Sequence, residues 1–161
     1  MSDESPTVML PRTVYLESSA LLAWLFDEPQ HADEVRDMVN DASLVITSAL
    51  TLVECHRAIH RATRLERLTP VESFAVQHYL TRLSSSWCIL ALDDTVLDRA
   101  SGSFPGLPIR TLDALHVASA LEAVTQFGAV ELISLDDRVR TCARAAGLAV
   151  GPNDLTLPVI P

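Results

Sequence analysis

The chain has 161 residues, 48% of them hydrophobic, and a formal net charge of −9. That length suits one domain with a core needing no disulfide staples, and that composition excludes disorder. The excess of acid excludes broad, non-specific nucleic-acid binding, which works by neutralising phosphates; any nucleic-acid contact is restricted to a local basic patch or to help from metal ions.

Residues 1–10 read as a loose tail, and "TVYL" (13–16) as the first strand. An apolar helix from Ala20 to Phe26 follows, then a strand in "SLVIT" (43–47). Residues 48–65 keep a helical rhythm through Leu50, Val53, Ala58 and Ile59. Thr69 is set as an N-cap, with Pro70 at the first helical position and Glu72 three residues on, so the next helix runs to about Leu83. "WCILAL" (87–92) is a third strand, and "SFPGLP" (103–108) is a turn-rich loop feeding a helix over 111–126. "AVELISL" (129–135) is a fourth strand, Gly147 closes a helix ending in "RTCARAA" as a C-cap does, and "GLAV" (147–150) is a fifth strand. Residues 152–161 read as a second loose tail. Continuous apolar runs are the mark of parallel strands buried on both faces, and their alternation with helices implies right-handed β-α-β crossovers. The expected fold is a three-layer α/β/α domain spanning 1–161, core about 13–151, around a parallel sheet of four to five strands.

In such a sheet ligands bind beyond the carboxyl ends of the strands. Glu17 ends the first strand, between apolar flanks. Glu54 lies early in the helix after the second strand, Asp113 in the first turn of its helix, and Asp136 directly after the fourth strand. Taken singly, each acid has an ordinary use: Asp113, Asp136 and Asp137 suit helix N-termini, and Glu54 suits a solvated face beside Arg57, Arg61 and Arg64. Brought together, they must protonate, pair with arginine or hold a cation. Oxygen-rich clusters suit hard divalent ions such as Mg²⁺ and Mn²⁺.

The chain contains no lysine, and all 12 basic residues are arginine. A P-loop and a Schiff-base site each need a lysine, and the lack of one also argues against lysine-using α/β phosphatase or phosphotransfer sites. With five glycines and no G-x-G-x-x-G, the dinucleotide fingerprint is missing. Cys55, Cys88 and Cys142 are far apart and read as buried free thiols. His56 and His60, at i and i+4, lack a third zinc ligand, and His78 and His116 read as structural. No apolar run approaches the ~20 residues needed to span a bilayer, and the acidic N-terminus is unlike a secretory signal, so the cytoplasm is the expected compartment.

Four stretches in order, "VYLESSALLAWLFDEP", "SALTLVECHRAIHR", "RTLDALHVASAL" and "LISLDDRVRTCARAAGL", make the chain resemble the PIN-domain nucleases, and among them the VapC-type ribonuclease toxins of toxin–antitoxin pairs. Glu17 stands where that family usually carries an aspartate. Glu54, Asp113 and Asp136 match its second, third and fourth acids, with Asp137 as the alternative to the last. The resemblance implies strand order 3-2-1-4-5 and a Mg²⁺- or Mn²⁺-dependent endoribonuclease leaving a 5′-phosphate and a 3′-hydroxyl. It assigns Glu17, Asp113 and Asp136 to the metal, and Glu54 to a metal-bound water.

Ser18, Ser19 and Ser134 are candidates to orient those carboxylates, or ordinary caps. Arg57, Arg61 and Arg64 share one helical face and, with Arg110, Arg67, His56 and His60, are candidate RNA contacts or a solvated surface. The resemblance further implies a VapB-like antitoxin, whose C-terminal segment would lie in an apolar groove. Trp24, Leu25 and Phe26 are offered for that groove or for the core. A homodimer is the implied assembly. The second reading is a catalytically weak PIN-like module that binds antitoxin or RNA without cutting, with Glu17 as its lesion.

Overall fold

The computed structural model describes residues 11–106 and 108–153, so the expected tails at 1–10 and beyond 153 lie outside the described residues. Five strands, β1 (Thr13–Leu16), β2 (Leu44–Ser48), β3 (Cys88–Leu90), β4 (Glu131–Ile133) and β5 (Ala149–Gly151), form one parallel sheet in the order β3-β2-β1-β4-β5. Seven helices are described: α1 (Ser18–Leu25), α2 (Ala32–Asn40), α3 (Ala49–Arg64), α4 (Pro70–Ser84), α5 (Asp94–Ser101), α6 (Thr111–Phe127) and α7 (Asp137–Ala145). None of them is long and apolar enough to cross a membrane.

The period-2 geometry of the strands sorts their side chains between two cores. Tyr15, Ile46, Leu132 and Val150 join Val117, Ala120 and Val139 of α6 and α7 on one face. Val14, Leu16 and Ile133 join Leu21, Trp24, Val35, Cys55, Ile59 and Leu80 of α1 to α4 on the other. With both faces covered, the strands carry no polar alternation, and the three layers follow.

The capping box at Thr69 forms as its sequence demands, the hydroxyl accepting from the Glu72 N–H while the Glu72 carboxylate takes the Thr69 N–H. Gly147 takes φ +88°, the left-handed turn that ends α7. Three expectations are corrected. Helices α2 and α5 stand where none was expected. β4 is shorter than 129–135, because past Ile133 the Leu135 N–H leaves the ladder for the Ser19 hydroxyl at 2.8 Å. Pro152 is buried against the body of the protein rather than loose.

β1 lies between β2 and β4, so the chain's course reverses at the β1–β4 crevice. In doubly wound sheets that crevice, at the carboxyl ends, is where ligands bind.

Candidate active site

Glu17 is the first residue past β1, and its N–H makes a last sheet-like bond to the Ile133 carbonyl at 3.0 Å. The preceding carbonyl, that of Leu16, is held by the Thr47 hydroxyl at 2.7 Å. With the backbone fixed on both sides, the side chain turns back to cap α1, accepting the Ser19 N–H at 3.1 Å. Ser18 donates to Oε1 at 2.6 Å, while Ser134 at 2.8 Å and the Ser19 hydroxyl donate to Oε2. The carboxylate is only 3% exposed, and these donors satisfy both of its oxygens.

Ser19 does more than serve Glu17. Its oxygen accepts the N–H groups of Leu135 and Asp136, at 2.8 and 3.2 Å. The turn after β4 is thereby tied to the start of α1, and the β1 acid to the β4 acid. Asp136 then caps α7, its Oδ1 accepting from Arg138 and Val139 N–H. Asp137 is exposed at the first position of that helix. All three serines expected to orient carboxylates therefore touch Glu17.

Glu54 projects from α3, whose start is fixed by the Ser48 cap. It meets α6 through His116, whose Nε2 lies 2.6 Å from Glu54 Oε2 and 3.6 Å from Glu17 Oε1. Donor atoms of Glu17, Glu54 and His116 all fall within 4.8 Å of one another. Burial opposes the charged imidazole, but the Glu54 hydrogen bond and the charges of Glu17, Glu54 and Asp113 outweigh it, so His116 holds its proton above its usual range. Burial likewise opposes the Glu54 anion, yet the bonds from His116 and Ser18 hold its carboxyl below the usual range. The Cys55 thiol feels the same field: burial, then the charges of Glu17 and Glu54, push it up to about 12.

One turn before His116 on α6, Asp113 feels the second half of the site. Burial first, then the charge of Asp136, raises its carboxyl, against the pull of Arg110, Arg138 and His116. Its Oδ2 is buried and has no hydrogen-bond partner among the described residues. This orphaned oxygen, in the field of Asp136, fits a divalent cation, as do Glu17 and Glu54, which share one imidazole nitrogen.

Sequence reasoning missed His116, assigning it a structural role. The available signal was its i, i+3 spacing from Asp113, which puts both on one face of α6.

Beside the glutamates, a groove of about 800 Å³ runs along α3. Leu22, Leu50, Val53, Leu65 and Leu112 give it apolar walls, Arg57, Arg61 and Arg64 give it charge, and Ser18 and Glu54 also line it. Val53, Leu65 and Leu112 are about half exposed. Of Trp24, Leu25 and Phe26, offered for an apolar groove or for the core, Trp24 and Leu25 are buried in the α1–α4 core and Phe26 packs partly buried against it; Trp24 lies edge-on to Tyr79. Arg110 is exposed at the N-cap of α6, near Asp113. Of the three thiols, Cys55 and Cys142 are buried and Cys88 only partly so, which corrects the expectation for Cys88.

The PIN domain family matches residues 14–146. Ribonuclease VapC35 of Mycobacterium tuberculosis is 35% identical over 139 residues, covering 85% of this chain and 94% of the relative. Among solved structures, VapC20 of M. tuberculosis, described as a sarcin–ricin loop cleaving toxin, superposes with a TM-score of 0.60 at 15% identity, over 85% of this chain and 97% of its own. VapBC2 of Rickettsia felis, bound to a DNA fragment from its promoter, gives 0.59 at 12% identity, over 88% and 99%. The match over most of the chain and the strand order agree: this chain belongs to the PIN-domain family, in its VapC-type ribonuclease branch.

Proposed function

We propose that the chain is a Mg²⁺- or Mn²⁺-dependent endoribonuclease, the toxin half of a type II toxin–antitoxin pair, acting in the cytoplasm as a single 1–161 domain. The observation that carries the reading is the pair of carboxylates, Glu17 and Glu54, whose donor atoms lie within 4.8 Å of each other and of His116 at the switch point of the sheet. Acids held this close must protonate, pair with a base or hold a cation; His116 supplies one positive charge here, and a divalent ion would offset the rest.

Glu17, Asp113 and Asp136 would hold the ion, with Glu54 facing its water. When bound, the ion supplies a water of lowered pKa and screens charge on the phosphoryl oxygens. The protein's own part is orientation. Ser18, Ser19 and Ser134 fix the Glu17 carboxylate, and Glu54, kept ionised by His116, is ready to accept a proton from the attacking water. Arg57, Arg61 and Arg64 hold the RNA backbone in the groove, and Arg110 meets phosphate near Asp113.

The same groove suits a VapB-like antitoxin. A segment with apolar residues against Leu22, Val53 and Leu112 and acidic ones against the arginines would exclude RNA. Homodimerisation belongs to this reading as well.

The test is cleavage of RNA by the purified chain with added Mn²⁺ or Mg²⁺ and its loss with EDTA. Intact RNA across metals and substrates from the antitoxin-free chain, which still binds the antitoxin when it is added, would leave the non-cutting module instead.

A further inference from the structure

Arg140 stands in the second turn of α7, only 3% exposed, and its hydrogen bonds among the described residues all go to backbone carbonyls. Nη1 donates to Ser134 O at 2.6 Å and to Gly151 O at 2.9 Å, and Nη2 donates to Pro152 O at 2.6 Å. The β4–β5 ladder ends at the Ile133–Gly151 rung, so Ser134 lies one residue beyond it. The guanidinium takes over where the ladder stops, joining the two strand ends to α7.

Ser134 is thereby held at three points. Its N–H reaches Gly151 O at 3.1 Å, its carbonyl takes Arg140, and its hydroxyl donates to Glu17 at 2.8 Å while accepting the Asp136 N–H at 3.2 Å. The helix carrying Arg140 is the one that Asp136 caps. One buried side chain therefore fixes both the residue that aims Glu17 and the helix that begins at Asp136.

We propose that Arg140 is a positioning residue for the carboxylate pocket, acting through the Ser134 carbonyl to set Glu17 and Asp136 relative to each other. A planar fork with several donors can bond three carbonyls at once; a lysine's single ammonium bonds fewer in fixed directions. Outer groups of this kind set ligand geometry and hence metal affinity. The inference rests on the metal-site reading for its metal and activity measurements alone.

The test uses the full chain with Arg140→Met, Arg140→Lys, Ser134→Ala and the Arg140→Met/Ser134→Ala double variant. Amide exchange of Leu135 and Asp136 is followed without metal, Mn²⁺ affinity by calorimetry, and RNA cleavage as kcat and KM. In folded Arg140→Met the two amides exchange about tenfold faster. Mn²⁺ binds about tenfold more weakly, and kcat falls with KM little changed. Arg140→Lys recovers part of each loss, and in the Ser134→Ala background the extra loss from Arg140→Met shrinks. Unchanged exchange and Mn²⁺ affinity in folded Arg140→Met would overturn the proposal. So would an equal loss with and without the Ser134 hydroxyl, or unfolding of both Arg140 variants, which would make Arg140 a folding residue. A parent chain that neither binds Mn²⁺ nor cuts RNA would end the proposed function, while amide exchange would still decide the role of Arg140.

Discussion

His116 Nε2 lies 2.6 Å from Glu54 Oε2, and this contact joins α6 to α3. With Glu17 Oε1 3.6 Å from the same nitrogen, the imidazole brings both acids the kind of positive charge that a metal would supply. His116→Gln leaves both carboxylates without their shared cation. The metal-free variant loses about 2 kcal/mol, less than a fully buried pair would, because a quarter of the Glu54 side chain is in solvent. Adding Mn²⁺ raises its melting temperature by more than it raises the parent's, since no imidazolium competes. A smaller rise would make His116 a metal ligand instead of a stand-in charge.

The same pair sets a pH window. The His116 pKa lies above its ordinary 6.5, so its contribution is complete below pH 6.5 and fades as pH rises through the raised value. The Glu54 pKa lies below its ordinary 4.5, so its contribution is present above pH 4.5 and fades as pH falls through the lowered value. The stability gap between the metal-free parent and Glu54→Gln is therefore widest between pH 4.5 and 6.5. Chemical denaturation across that range checks it, and a gap that keeps widening toward alkaline pH would contradict the pairing.

Asp113 has the opposite character. Burial, then Asp136, penalises its charged form, so it weakens the metal-free fold as pH rises through its raised pKa. Asp113→Asn melts at or above the parent's temperature at neutral pH. Its RNA cleavage falls by more than the about tenfold to hundredfold loss typical of outer-shell changes. Marked unfolding of the variant would give Asp113 a structural job.

The strands were legible because burial on both faces leaves continuous apolar runs, as in Val14, Tyr15 and Leu16. Helices α2 and α5 were not. Among the nine residues of α2 only Ala32, Val35 and Val39 are buried, and α5 buries only Val96 while packing on α6 instead of the sheet. Glu17 stood out because an acid between apolar flanks has few ordinary uses. His116, flanked by Leu115 and Val117, looked like a core histidine, and its partners come from elements far away in sequence. Arg140 left no trace, because backbone carbonyls have no sequence signature.

Arg57, Arg61 and Arg64 line the groove with Glu54, and under the proposed function their contribution to RNA binding is electrostatic and local. Replacing each with glutamine raises KM while kcat is nearly kept. The slope of log affinity against log salt falls by about 0.7 per arginine lost, the value for single strands. Fluorescence anisotropy on a short RNA at several salt concentrations measures it. A fall in kcat with KM and slope intact would move these side chains from binding to chemistry.

Glu17 is longer by one methylene than the family's usual aspartate, and it spends that reach on Ser18, Ser134 and Ser19. Glu17→Asp keeps a good N-cap, so the cost to the fold stays near about 1 kcal/mol. The shorter arm draws back from His116 and gives up hydroxyl bonds that hold the carboxylate in its present direction. Freed of those bonds, on the arm length the family usually carries, the carboxylate reorients to meet the near-octahedral geometry and short distances that Mg²⁺ demands. The variant therefore gains Mg²⁺ affinity relative to Mn²⁺, read as the ratio of the two dissociation constants by calorimetry. A ratio equal to the parent's would mean that the end of β1 shifts to absorb the extra methylene, leaving the metal preference to Asp113 and Asp136.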